Sequence, residues 1–193
     1  MEVVLQGTSA RAGLSAAWWA VVARFLLHGL IVSTWVSRIP DIQSALHLTN
    51  ADLGLCLLGT AVGSVIAVPV TGWLVTRYGS KRATTWSTLG FALALAGPAF
   101  AINAVTLFLA LIAFGAMAGA NDVSINSQAV SVEAKLGEPT MSRFHAMFSV
   151  GGMIGASLGG LVAAHEIVAR IHLPIASALF LLISLFTTPF LLE

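Results

Sequence analysis

Six long apolar stretches leave this 193-residue chain few ways to fold. They run roughly over Ala17–Ser37, Asp52–Val75, Thr84–Ala101, Val105–Val130, Phe144–Ala164 and Leu173–Leu192. Each is about 18–26 residues long, and the ~30 Å hydrocarbon core of a bilayer needs about 20 helical residues. Backbone amides find no water in lipid, so such segments must be helices or closed-barrel strands. Continuous apolar character lacks the alternation of a barrel strand. The expected fold is therefore an all-α membrane protein with six transmembrane helices, and any function rests on the few polar groups inside it.

Composition agrees. Hydrophobic residues make up 58% of the chain and charged residues 9%, with a mean hydropathy of +0.93. A soluble domain carries about 25% charged residues. That shortfall argues against a soluble enzyme and against a nucleic-acid binder. The single cysteine, Cys56, cannot form an internal disulfide and reads as a small packing residue. The first stretch is longer than the apolar core of a signal peptide and no A-x-A site follows it, so we expect a retained helix.

Six spans put both ends of the chain on one side. Arg11, Arg24, Arg77, Lys81, Arg82, Lys135 and Arg143 then share that side, leaving Arg38 and Arg170 on the other. Basic residues accumulate in cytoplasmic loops. The expected location is the inner (plasma) membrane, multi-pass, with both termini cytoplasmic. The loop over residues 39–51 is the longest on the outer side, and Asn50-Ala51-Asp52 looks like a helix N-cap.

Between the second and third stretches the chain reads Gly72-Trp73-Leu74-Val75-Thr76-Arg77-Tyr78-Gly79-Ser80-Lys81-Arg82. On its own this is a basic hairpin with a glycine turn. Its spacing resembles the signature loop of the major facilitator superfamily, G-x-x-x-D-R-x-G-R-R. Gly72, Arg77, Gly79 and Lys81 fit, Arg82 continues the basic end one residue on, and Thr76 stands where the family has Asp. Three further segments resemble the fucose-permease-like branch and its uncharacterised bacterial relatives. They are Gly119–Asn126, with an acidic-x-x-x-Asn pattern, Phe144–Gly152, and Ser33–Pro40. The acid that sugar/proton members carry on helix 1 falls here on Val36.

The resemblance implies a secondary transporter of two six-helix halves, each made of two inverted three-helix repeats. Residues 1–193 would be the N-terminal half, needing a C-terminal half or a second copy of itself. It implies transport of a small polar solute, such as a sugar or related metabolite, with protons as a candidate coupling ion. No cofactor or metal is expected. The alternative is a non-transporting membrane bundle, a truncated remnant or a packing partner of another complex.

A charge at the centre of a membrane helix costs about 2.5–3.5 kcal/mol, so each one needs a reason. Asp122 and Asn126 lie at i, i+4 on the fourth span, with Asn121 and Gln128 on an adjoining stripe. Arg24 and His28 lie at i, i+4 on the first span. We expect these six, with His145 at the head of the fifth span, to line a substrate cavity, with Arg24 or His28 facing Asp122. The competing reading is interhelical hydrogen bonding for the polar groups and snorkelling for Arg24. Arg38 reads as an interfacial anchor or an attractor of anions. Small residues at Gly59/Gly63, Gly115/Gly119 and Gly151/Gly155/Gly159 mark close helix contacts, and Pro69, Pro98 and Pro189 mark kinks or ends. His165-Glu166 begins like H-E-x-x-H, but residue 169 is alanine. No nucleophile with an ordered base is visible, so the chain is not expected to be an enzyme. A membrane hydrolase using Asp122 and His28 is the residual alternative.

Overall fold

A computed structural model describes the backbone of residues 2–193 and the side chains of residues 13–193. Arg11, used above for orientation, lies outside the described side chains. The chain forms α1 (Glu2–Val36), α2 (Ile39–Ala45), α3 (Asn50–Tyr78), α4 (Ser80–Ala94), α5 (Ala104–Leu136), α6 (Met141–Ala164) and α7 (Ala169–Thr187). Short 3-10 turns follow α4 at Gly97–Phe100 and α7 at Thr188–Phe190.

Local chemistry sets the boundaries. Thr49 caps α3 by accepting a hydrogen bond from the Asp52 amide at 3.1 Å, while Asp52 accepts from the Thr49 amide at 3.2 Å. This reciprocal box satisfies amides that the first helical turn leaves free. The cap thus falls on Thr49, just before the expected Asn50-Ala51-Asp52, whose Asp52 closes the box. Asn103 and Thr106 build the same box at the start of α5. Part of the loop expected at 39–51 is itself helical, with Pro40 in the first turn of α2, where its missing N–H costs nothing.

Five helices among the described residues are long and apolar enough to cross a membrane. The third expected span, 84–101, differs from expectation. It begins earlier, at Ser80, and its α-helix ends at Ala94. Gly97-Pro98 then forces a 3-10 turn, because proline has no N–H to continue the ladder. Fifteen residues rise only about 22 Å, so α4 needs the turn after it to approach bilayer depth. The sixth expected span likewise starts earlier, at Ala169, and closes in a 3-10 turn at Pro189.

The helices pack as two tight pairs, α1 on α6 and α3 on α5, with α4 lying against α5 and α7. Glycine makes the tight pairs possible. A Cβ built on Gly115 would sit 2.0 Å from the Thr60 carbonyl oxygen of α3. One on Gly151 would sit 2.0 Å from the Leu26 carbonyl oxygen of α1. Most of the expected glycine packing positions are therefore places where one backbone lies directly on another, while Gly119 and Gly159 first meet the side chains of Ser64 and Ser37.

The α3–α4 connection turns on one residue. Gly79 has φ +86° and ψ 153° and donates its N–H to the Val75 carbonyl at 3.0 Å. Only glycine adopts this backbone readily. A Cβ there would meet nothing within 4 Å, so the cost of substitution is conformational. Gly79→Ala should destabilise the fold by about 1–3 kcal/mol, read as a lowered unfolding midpoint. An unchanged midpoint would mean that the turn tolerates another backbone geometry.

Candidate transport site

The sequence-predicted cavity residues divide into two sets. Asn121, Gln128, His28 and Arg24 point into the bundle and are buried. Asp122 and His145 are exposed, and Asn126 is half-buried beside Asp122. The division follows from the 3.6-residue period of α5. Asn121, Ser124, Ile125 and Gln128 share the inward face, which turns Asp122 out of it.

The buried set forms two clusters. In the first, the Asn121 amide joins α5 to α1 and α4. Its Nδ2 lies 2.9 Å from His28 Nδ1, and its Oδ1 lies 2.6 Å from the Thr88 hydroxyl. Ser87 and Ser124 hydroxyls meet at 2.7 Å alongside. The His28 ring is held between Phe91 and Phe148, with centroids 5.0 and 5.5 Å away. In the second cluster, Gln128 donates to Ser80 Oγ and to the Leu192 carbonyl, both at 2.8 Å, and accepts from the Leu192 amide at 3.1 Å. Nearby, Arg24 donates to the Ser184 carbonyl at 2.8 Å and to Thr188 Oγ1 at 2.7 Å.

Arg24 does not pair with Asp122. The ion pairs among the described residues are Arg38–Asp41 and Lys81–Glu193. The guanidinium goes instead to the last turn of α7, where the Ser184 carbonyl has a lone pair to spare beside the Thr188 amide and the helix dipole favours a cation. Snorkelling is overturned as well, since Arg24 is 1% exposed. His28 hydrogen-bonds to Asn121 rather than to Asp122.

The exposed set shares a different setting. Asn126 donates to the Asp122 carboxylate at 3.2 Å and to its carbonyl at 2.8 Å. Exposed membrane-helix surface elsewhere is apolar, as at Leu55, Val65 and Ile66 on α3 and Leu182 and Phe186 on α7. A carboxylate on such a surface needs water or a protein partner over it.

Sequence reasoning missed the α4 contribution. Thr84 and Thr88 lie at i, i+4 and are both fully buried, so a hydroxyl stripe on an apolar span was the available signal. Arg38, expected as an interfacial anchor or an attractor of anions, is 1% exposed and held within the bundle. Arg38 donates to the Ile167 carbonyl and pairs with Asp41, tying the end of α1 to the α6–α7 connection. A cavity of about 790 Å³ opens there, with Arg38, Asp41, Glu166 and Arg170 among its lining.

With the helices and their polar groups placed, comparison with known proteins decides the family. Residues 12–192 match the model of the Major Facilitator Superfamily. The chain belongs to the major facilitator superfamily.

Relatives of this superfamily member include the uncharacterised transporter y4wD of Sinorhizobium fredii, 36% identical over 155 residues, which cover 80% of this chain and 41% of the relative. An uncharacterised MFS-type transporter of Yersinia pestis is 38% identical over 141 residues, or 72% of this chain and 36% of the relative. Membrane protein MosC of Rhizobium meliloti is 30% identical over 169 residues, 88% of this chain and 42% of the relative. The chain spans about two fifths of the length of these relatives. Family and helices together make it a multi-pass membrane protein of a transporter superfamily, and they point away from an enzyme.

In this superfamily member the signature-like loop is the α3–α4 connection. Thr76, at the position of the signature Asp, turns its hydroxyl back to the Trp73 carbonyl at 2.8 Å. Lys81 pairs with Glu193 at 2.8 Å. Arg77 and Arg82 are exposed and have no ion pair among the described residues, and Gly72 faces open space.

Proposed function

We propose that this protein is a secondary transporter for a small polar solute, with residues 1–193 supplying the N-terminal six-helix half. The observation that carries this reading is Asp122. It stands with Asn126 on an exposed face of a membrane helix. Left in lipid it would cost about 2.5–3.5 kcal/mol, whereas a water-filled cavity between two halves removes that cost. His145 is exposed on α6, the helix paired with α1, and belongs in our assignment of the lining. Asn121, Gln128, His28 and Arg24 support the lining from behind rather than form its surface.

The helix pairings favour alternating access by inverted repeats. Exchange α1, α3 and α4 with α5, α6 and α7. The α1–α6 pair then maps onto α5–α3, α4–α5 maps onto α7–α1, and α1–α5 and α4–α7 map onto themselves; all of these pairs are in contact. The partner in our reading is a C-terminal half or a second copy of the chain. A sugar or related metabolite is the proposed solute class, by resemblance to the fucose-permease-like branch. The proposed location is the inner membrane, with both termini and the α3–α4 loop in the cytoplasm.

Uptake by the full-length protein in proteoliposomes, against a panel of labelled sugars, tests the reading. Asp122→Asn should lower uptake at least about tenfold, a barrier increase of about 1.4 kcal/mol, with unchanged amounts of protein in the membrane. Uptake insensitive to this substitution removes Asp122 from the site. No uptake of any solute by the parent protein leaves the structural-bundle alternative.

A further inference from the structure

We infer that His28 is a proton-binding site inside the membrane, and that rotation of the Asn121 amide lets its surroundings accept both the neutral and the charged ring. The inference deepens the proposed transport function and rests on that reading for its use, though not for its test.

The argument is a count of protons. The Thr88 hydroxyl has one hydrogen and two acceptors in reach, the Thr84 carbonyl at 2.7 Å and the Asn121 amide at 2.6 Å. A hydroxyl donates once but also accepts. The network therefore has two complete arrangements. In the first, Thr88 donates to Asn121 Oδ1, and Asn121 Nδ2 donates to His28 Nδ1. The ring is then neutral, with its proton on Nε2. In the second, the amide is turned by half a rotation. Oδ1 accepts from a protonated Nδ1, Nδ2 donates to Thr88 Oγ1, and Thr88 sends its hydrogen to the Thr84 carbonyl. Both contacts of the Asn121 amide are hydrogen bonds in either arrangement, the same heavy-atom positions serve both, and only the Thr88–Thr84 carbonyl bond is confined to the second. No bond other than an N–H is made: a proton from water joins the ring, and the amide turns.

The surroundings suit a proton and little else. Asn121, Thr88 and Thr84 are fully buried, leaving no room for another ligand at Nδ1. His28 is 8% exposed, and Nε2 makes no hydrogen bond among the described residues yet is not sealed from the surface. Protons can therefore reach the ring from one side while the amide responds on the other. The charged and titratable groups around it are few. On α5 the acid nearest in sequence to Asn121 is Asp122, which is turned out of the face that carries Asn121. On α1, Arg24 lies one turn away and is engaged with α7. From α4 and α6 it meets the rings of Phe91 and Phe148, and His145 of α6 packs on Phe25 instead. No acid salt-bridges to the ring among the described residues. An amide that can reverse supplies the acceptor that an imidazolium needs.

The test uses full-length protein, labelled with nitrogen-15 at histidine and held in lipid nanodiscs, with His28→Gln to assign the signal. Between about pH 9 and about pH 4, the Nδ1 resonance of His28 should pass from unprotonated to protonated in a reversible step. Thr88→Val removes the acceptor that Nδ2 needs in the charged arrangement. Ser87, 3.4 Å from that side of the amide, remains as a long partner in either arrangement, but an underpaired buried N–H is tolerated less well than an underpaired carbonyl. Charging His28 in that variant should require at least about tenfold more protons. Thr88→Ser should restore the parent behaviour. A ring whose Nδ1 stays unprotonated throughout, or a midpoint that ignores Thr88→Val, overturns the inference. Both readouts are independent of transport: uptake with a silent His28 refutes the switch alone, and a titrating His28 without uptake refutes the transport reading alone.

Discussion

Protein carrying Gly151→Val should fail to accumulate in the membrane, while Gly160→Ala on the same helix should be at least as stable as the parent. The two positions lie in one glycine-rich run of α6 and differ in what they face. At Gly151 a Cβ would lie 2.0 Å from the Leu26 carbonyl oxygen, and at Gly160 it would meet nothing within 4 Å. A flexible side chain can move aside, but a helix backbone cannot. To admit valine, α1 and α6 must separate along the interface they share, losing the dispersion contacts that hold membrane helices together. Overpacking costs typically 1–3 kcal/mol, and an obstacle made of backbone places this case at about 3 kcal/mol or more. Gly160→Ala instead gains up to about 1 kcal/mol of helix propensity. Membrane abundance and thermal unfolding in detergent read both. Equal behaviour of the two variants would refute the α1–α6 contact as described.

The second large effect is expected at Asn121. Asn121→Leu keeps the side-chain volume roughly constant and removes the partner shared by His28 and Thr88. His28 Nδ1 then has no acceptor or donor opposite it inside the bundle. Leaving a buried polar group unsatisfied costs about 1–3 kcal/mol. With α1 and α4 each losing a hydrogen bond to Asn121, about 2–3 kcal/mol is expected. Ser124→Ala should cost under about 1 kcal/mol, because Ser87 keeps the Thr84 carbonyl at 3.2 Å. Thermal unfolding in nanodiscs ranks the two. A leucine variant as stable as the parent would mean that Asn121 bonds are exchanged for others without loss.

These residues show where sequence was readable. Apolar length alone announced six membrane helices, because lipid leaves the backbone no alternative, and five of the helices among the described residues are long and apolar enough to cross. Glycine spacing announced the tight pairs, because only the missing Cβ lets backbones touch. The break in the third span was written as Gly97-Pro98, yet hydropathy ran through it unchanged. The facing of Asn121 and Asp122 was harder. They are adjacent on a helix that is apolar around its whole circumference, so no amphipathic pattern says which one turns inward. The partner of Arg24 was hidden for another reason. Its acceptors are a backbone carbonyl and a hydroxyl at the end of α7, and every residue carries a carbonyl. A search for an opposite charge therefore found Asp122, which faces elsewhere.

Gln128 holds both the N–H and the C=O of Leu192, and Lys81 holds Glu193. The segment that follows α7 is thus clamped to α4 and α5, two of the three helices joined by the buried polar network. Chain tension applied near residue 192 does not stop at α7. It is delivered to α5 at Gln128, about 9 Å along the axis from Asp122, so a pull on the exit of the bundle is felt on the same helix that carries the carboxylate of its open face.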